Sequence, residues 1–231
     1  AYAMFPAARV RGPLNVRALE QTLDEILRRH ESLRTTFATV DGSPVQVVAP
    51  HTPFELPVVD LSHLTADEQE SEVKRYVQTQ SLKRIDLSRG PLARIELLRL
   101  SAEQHVVVVG MHHIIYDGWT LAVLRRELLS LYRAFAAGLP SPLAELPVQY
   151  ADYAVWQRER LAGDTLSELS DYWQKQLAGV PALELPTDRP RPAIRTTRGT
   201  LSDGRLSEPL SRAIGQLSTE EGATTFMTLL A

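Results

Sequence analysis

Met111-His112-His113-Ile114-Ile115-Tyr116-Asp117-Gly118-Trp119 is the stretch on which the reading of this 231-residue chain turns. It follows four consecutive valines, Val106 to Val109, which read as a strand covered on both faces. It precedes Leu121, Leu124, Leu128, Leu131 and Phe135, which recur at helical spacing until Gly138 stops the helix. Neighbouring side chains on a strand point to opposite faces. His112 and His113 are therefore expected to diverge, His112 toward the interior and His113 toward a cleft. Asp117 is placed to brace the loop through hydrogen bonds or an Arg. Gly118 permits backbone conformations that other residues resist. Spacing alone leaves the chemistry open. A metal site of His112, His113 and Asp117, a hydrogen-bonded structural pair, and an Asp117 that only begins a helix all fit it, although diverging histidines argue against a shared metal.

Working outward, Leu92 to Leu100 and His105 to Met111 read as two strands joined by Ser101-Ala102-Glu103-Gln104. Upstream, Asn15 caps a helix carrying Leu19, Leu23, Ile26 and Leu27, which ends near His30. Leu33 to Val40 and Val45 to Ala49 read as strands around an Asp41-Gly42-Ser43-Pro44 turn. Thr65-Ala66-Asp67-Glu68 is a capping box opening another helix. Downstream, helices are expected near Tyr150 to Leu161 and Thr165 to Leu177. Pro181, Pro186, Pro190 and Pro192 then mark a linker. A short strand with an Asp203-Gly204 turn, a helix near Glu208 to Leu217, and a helical end from Thr224 to Ala231 follow. Both chain ends read as cuts in a longer polypeptide.

Composition narrows the function classes. The hydrophobic share of 44% and charged share of 23% exclude disorder and collagen. A net charge of −3 gives no basic excess for nucleic acid or an anionic membrane. With no cysteine, thiol nucleophiles, thiolate metal sites and disulfides drop out, which fits a reducing compartment, and the cytoplasm is the expected location. Phosphate loops, dinucleotide-binding glycines and the Gly-x-Ser-x-Gly elbow are not found. His30-Glu31-Ser32-Leu33-Arg34 begins like a zinc protease helix, but Arg34 stands where the second ligand belongs. No metal site is expected.

His112-His113-Ile114-Ile115-Tyr116-Asp117-Gly118 resembles the HHxxxDG motif of nonribosomal peptide synthetase condensation domains. Arg29-His30-Glu31-Ser32-Leu33-Arg34-Thr35-Thr36-Phe37 is similar to the family's RHExLRTxF segment, and Tyr150-Ala151-Asp152-Tyr153-Ala154-Val155-Trp156 to its YxDYAVW segment. HxxxD alone is weak, whereas three motifs in order are specific. Heterocyclisation relatives carry DxxxxD in place of HHxxxDG, and the Asp117-Gly118-Trp119-Thr120 continuation favours condensation over epimerisation domains. The family's opening SxAQxR-type segment and its C-terminal motifs are missing.

The resemblance implies an α/β fold, a two-layer sandwich of the chloramphenicol-acetyltransferase type with helices packed on a mixed sheet. It implies residues 1–179 as the N-terminal lobe, 180–200 as a Pro-rich crossover, and 201–231 as the start of a second lobe, with the active site between lobes. The implied reaction is amide formation between a donor acyl thioester and an acceptor amine. Alternatives are a non-catalytic carrier-docking module and a standalone O-acyltransferase. The implied partners are donor and acceptor peptidyl carrier proteins and an adjacent adenylation domain. No cofactor is bound directly; substrates arrive on phosphopantetheine arms. His113 is the expected catalytic residue, as base or as positioning group. His112, Asp117, Gly118, Arg34 and Arg29 are expected to support it, with Arg34 or Arg29 candidates to pair with Asp117. Tyr116 and Trp119 are candidate cleft residues. Backbone amides near Gly118 and Trp119 are expected to stabilise developing negative charge. Arg29 to Phe37 is also explained by packing and ion pairing, and Tyr150, Tyr153 and Ala154 read as one core-facing helical side.

Overall fold

The structure, a computed structural model, describes residues 3–4, 6–194 and 204–231, with the backbone alone for Ala3 and Met4. The expected strand at the Asp203-Gly204 turn and the end of the Pro-rich stretch fall in 195–203, outside the described residues. The chain divides into two compact units, Ala1–Pro181 and Ala182–Ala231.

The first unit is built on a mixed five-stranded sheet. Its centre is the antiparallel pair β6 (Ala93–Arg99) and β7 (Gln104–His112), in register Ala93↔Met111 through Arg99↔His105. β1 (Ala3–Met4) and β2 (Ala7–Arg11) run antiparallel along the other side of β7. β5 (Val58–Asp60) runs parallel to β6. A separate hairpin joins β3 (Thr35–Val40) to β4 (Ser43–Val48). Its two-residue turn places Asp41 at φ 49° and Gly42 at φ 76°, the paired left-handed geometry that Asp-Gly suits.

Alternation on β6 and β7 sends two sets of side chains to two faces, and helices cover both. Leu98, Val106 and Val108 meet Val73, Tyr76 and Val77 of α2 (Ala66–Leu82), whose start is closed by the Thr65/Glu68 capping box. Leu97, Ile95 and Val107 meet Leu19 and Leu23 of α1 (Val16–Arg29) and Leu128 and Tyr132 of α3 (Gly118–Ala136). Leu97 and Leu98 are fully enclosed, and each stabilises the sheet by about 1.5–3 kcal/mol. Further along the second face, Met111, Ile115 and Tyr116 pack with Ile26, Leu33, Leu92 and Leu131. This cluster anchors the His112–Asp117 loop from below. The result is the mixed α/β sandwich that the family resemblance implies.

α4 (Tyr150–Arg160) and α5 (Gly163–Gln176) complete the unit, and neither has a buried residue. The expectation that Tyr150 and Tyr153 are core does not hold, since they are 58% and 43% exposed. Their helical spacing instead builds a surface row in which Tyr150 lies 6.0 Å from Tyr153 and Tyr153 lies 5.7 Å from Trp156, ring centre to ring centre. In the second unit, α6 (Glu208–Glu220) and α7 (Thr225–Leu230) are joined by a 2.7 Å hydrogen bond between the Ser218 and Thr228 hydroxyls.

Candidate active site

His112 is the last residue of β7, and its main-chain N–H donates to the Leu92 carbonyl at 3.0 Å. One residue later the chain leaves the sheet. His112 is half-buried and His113 is exposed, so the two diverge in environment. The Nδ1 of His112 accepts the Ile114 N–H at 3.1 Å, and burial, with His113 alongside, lowers its pKa. His112 is thus a neutral tie across the loop.

The His113 ring lies on the ring of Tyr116, with centroids 4.5 Å apart and planes 16° from parallel. Its Nδ1 is 3.3 Å from the Tyr116 carbonyl oxygen. A carbonyl only accepts, so Nδ1 is the donor, and in the neutral ring Nε2 keeps its lone pair. His113 borders a recess of about 190 Å³ shared with Ser32, Thr35, Phe37, Asp117, Thr120 and Tyr150. Strand β3 supplies Thr35 and Phe37, and the start of α4 supplies Tyr150. A larger cavity of about 430 Å³ shares Thr35 with it but is lined by Leu33, Arg34, Phe54 and Leu92 and touches neither His112 nor His113.

Asp117 departs from expectation. It is exposed and caps α3, with Oδ1 accepting the Thr120 N–H at 2.8 Å and the Thr120 hydroxyl at 2.8 Å. These bonds, the backbone one foremost, lower its pKa. No arginine pairs with it among the described residues. Arg29 instead faces Glu127 at 3.5 Å and donates to the Ala144 carbonyl at 2.8 Å. Arg34 bonds the Ala49 carbonyl and lies 3.3 Å from Glu31. The reason is positional, because Arg29 at the end of α1 faces Glu127 midway along α3, and Arg34 in the following turn is engaged by Ala49 and Glu31. Asp117 takes up the Thr120 amide itself, one of the donors at the start of α3. Gly118 is the first residue of α3 without a positive φ, and a Cβ there would meet open space. Its expected conformational role is therefore not used. Tyr116 lines the recess while only 6% exposed. Trp119 is 80% exposed and does not line it.

No motif in the sequence points to the buried network that links the end of α1, α3 and the start of α4. Glu127, turned inward from α3, accepts from His30 Nε2 at 2.7 Å beside Arg29. Gln149 donates to the Arg29 carbonyl at 2.8 Å and accepts the Glu31 N–H at 3.2 Å, tying α4 to the end of α1. The available signal was Glu127 inside an otherwise apolar helical stripe, where an unpaired carboxylate is costly. Among the described residues no group of three His, Cys, Asp or Glu side chains is placed to hold a metal ion.

The family model described as "Condensation domain" matches residues 1–231. The chain is 46% identical over 231 residues to a linear gramicidin synthase polypeptide of Brevibacillus parabrevis and 44% identical to chondramide synthase cmdD of Chondromyces crocatus. All of this chain is covered in both matches, yet it spans 4% and 6% of those proteins. Among solved structures, the X-domain from teicoplanin biosynthesis is 32% identical with a TM-score of 0.78, covering 97% of this chain and 49% of that one. The first condensation domain of the CDA synthetase shares the fold, with a TM-score of 0.72 at 24% identity over 97% of this chain and 53% of that one. The histidine loop, its sheet and the match along the whole sequence agree, and the chain belongs to the condensation domain family.

Proposed function

We propose that this chain is the histidine-bearing half of a domain that joins a carrier-bound acyl thioester to a carrier-bound amine. The observation that carries this reading is the Nε2 of His113 at the edge of the recess, without a hydrogen-bond partner among the described residues, with Nδ1 committed to the Tyr116 carbonyl. The amine nitrogen attacks the thioester carbon, and its proton passes to Nε2. Collapse of the tetrahedral intermediate breaks the C–S bond, and the departing thiolate takes that proton back as a thiol. Atoms and charge balance without a metal or a redox partner. Substrates held on phosphopantetheine arms of donor and acceptor carrier proteins, with an adenylation domain adjacent, are consistent with the synthases that the chain resembles. So is a cytoplasmic setting. Residues 1–179 form the first lobe in this reading, 180–200 the crossover, and 201–231 the start of a second lobe.

The test is a two-carrier assay with loaded donor and acceptor, run on the whole polypeptide and on His113→Ala. The expected loss of product rate is about 100-fold or more. The urea midpoint is expected to stay unchanged, because an exposed imidazole contributes little packing. Equal rates in both would make His113 a bystander. An absence of product from the unaltered protein would favour the non-catalytic docking module.

A further inference from the structure

We propose that Tyr116 is a positioning residue that fixes the orientation and tautomer of the His113 ring; this rests on the reading of His113 as the proton acceptor. Tyr116 grips the imidazole twice. Its ring covers one face at 4.5 Å and 16°, and its main-chain carbonyl takes the Nδ1 proton at 3.3 Å. The grip is rigid because Tyr116 itself is 6% exposed and packed with Ile26, Leu33, Leu92, Met111, Ile115 and Leu131. A histidine beyond the end of a strand, exposed on its other face, has no other ring beside it among the described residues. Without the tyrosine ring the imidazole turns about its side-chain bonds, the carbonyl contact is lost part of the time, and Nε2 no longer points at one place. The hydroxyl takes no part, since it is buried without a hydrogen-bond partner among the described residues. The aromatic face is therefore what matters, and phenylalanine should replace it.

Tyr116→Leu, Tyr116→Met and Tyr116→Phe in the whole polypeptide test this. In the two-carrier assay, the Leu and Met variants are expected to lose about tenfold or more in kcat with KM within about twofold, since alignment rather than binding is lost. Tyr116→Phe is expected to recover most of that rate. A second readout does not depend on turnover. Diethyl pyrocarbonate, with the adducts located by fragmentation mass spectrometry, should add once to His113 in the unaltered protein, at Nε2. A second addition at Nδ1 should grow in for the Leu and Met variants but not for Phe. The Met variant stands in if the Leu variant does not fold. Unchanged kcat together with a single addition in Leu or Met would overturn the proposal. If the unaltered protein forms no amide, the functional reading fails by itself. The labelling pattern then decides the role of Tyr116, and a single addition throughout would reject it.

Discussion

At the residue scale, Asp117 and Glu127 show how far exposure changes what a carboxylate is worth. Asp117 lies in the family motif but is an exposed cap, so Asp117→Ala should cost about 1 kcal/mol, the ordinary value for a lost N-cap. Glu127 lies outside every motif but is 7% exposed, with His30 and Arg29 on its oxygens. Glu127→Ala leaves Arg29 buried without its counter-charge and should cost about 3–5 kcal/mol. Urea melts of the two variants check the order, and a larger loss for Asp117→Ala would contradict it. The same pair of contacts sets a pH dependence. Burial opposes ionisation of Glu127, but the His30 hydrogen bond and the Arg29 charge outweigh it and hold the carboxyl below its ordinary range. A carboxyl whose folded pKa is depressed binds fewer protons folded than unfolded. Its stabilisation is therefore complete above the unfolded value, about pH 4.3, and is lost as pH falls through the folded one. Glu127→Gln should be the less stable protein at neutral pH, and the two stability curves should draw together below about pH 4. Parallel curves down to that range would show that Glu127 is not the group responsible.

At the element scale, the helices were legible where a cap and an apolar stripe coincide. Asn15 accepts the Ala18 N–H at 3.0 Å where the sequence placed a cap, and Gly138, at φ 71°, lies just past the end of α3. β2 and β5 were not legible. Ala7–Arg11 alternates over only four residues, Ala8-Arg9-Val10-Arg11, and Val58–Asp60 is three residues long, so their pairing to β7 and β6 is imposed by tertiary contact. α4 was legible as a helix but not as a surface, because periodic aromatics look the same whether they face a core or solvent. Of the candidate site, strand alternation anticipated the different exposure of His112 and His113, although His113 already lies in the turn beyond β7, whereas it did not give the partner of Asp117. That depended on where α1 ends relative to α3, which no local pattern encodes. The β3–β4 hairpin carries the next prediction. Its turn needs positive φ at Gly42, and an alanine there should cost about 1 kcal/mol or more, visible as a lower urea midpoint. Because β3 carries Thr35 and Phe37 to the recess, the same variant should also slow the proposed amide formation in the two-carrier assay. An unchanged midpoint would mean that the turn relaxes without strain.

At the scale of the whole molecule, the sheet is covered on both faces, yet α4 and α5 leave their apolar side chains in solvent. Trp156, Trp173, Leu177 and Val155 are each more than half exposed. Scattered exposed apolar residues are ordinary, but the row of neighbouring rings Tyr150, Tyr153 and Trp156 along α4 is of the kind that marks an interaction surface. The chain spans 49% of the solved teicoplanin X-domain chain that it matches, so a related fold has about as much polypeptide again to place against such surfaces. This chain produced by itself should therefore associate as its concentration rises and bind an apolar fluorescent dye, with both effects reduced when the remaining half of the domain is present. Light scattering against concentration, with and without that half, checks this. A chain that stays monomeric at high concentration and leaves the dye dark would show that the α4 and α5 aromatics are satisfied within this chain.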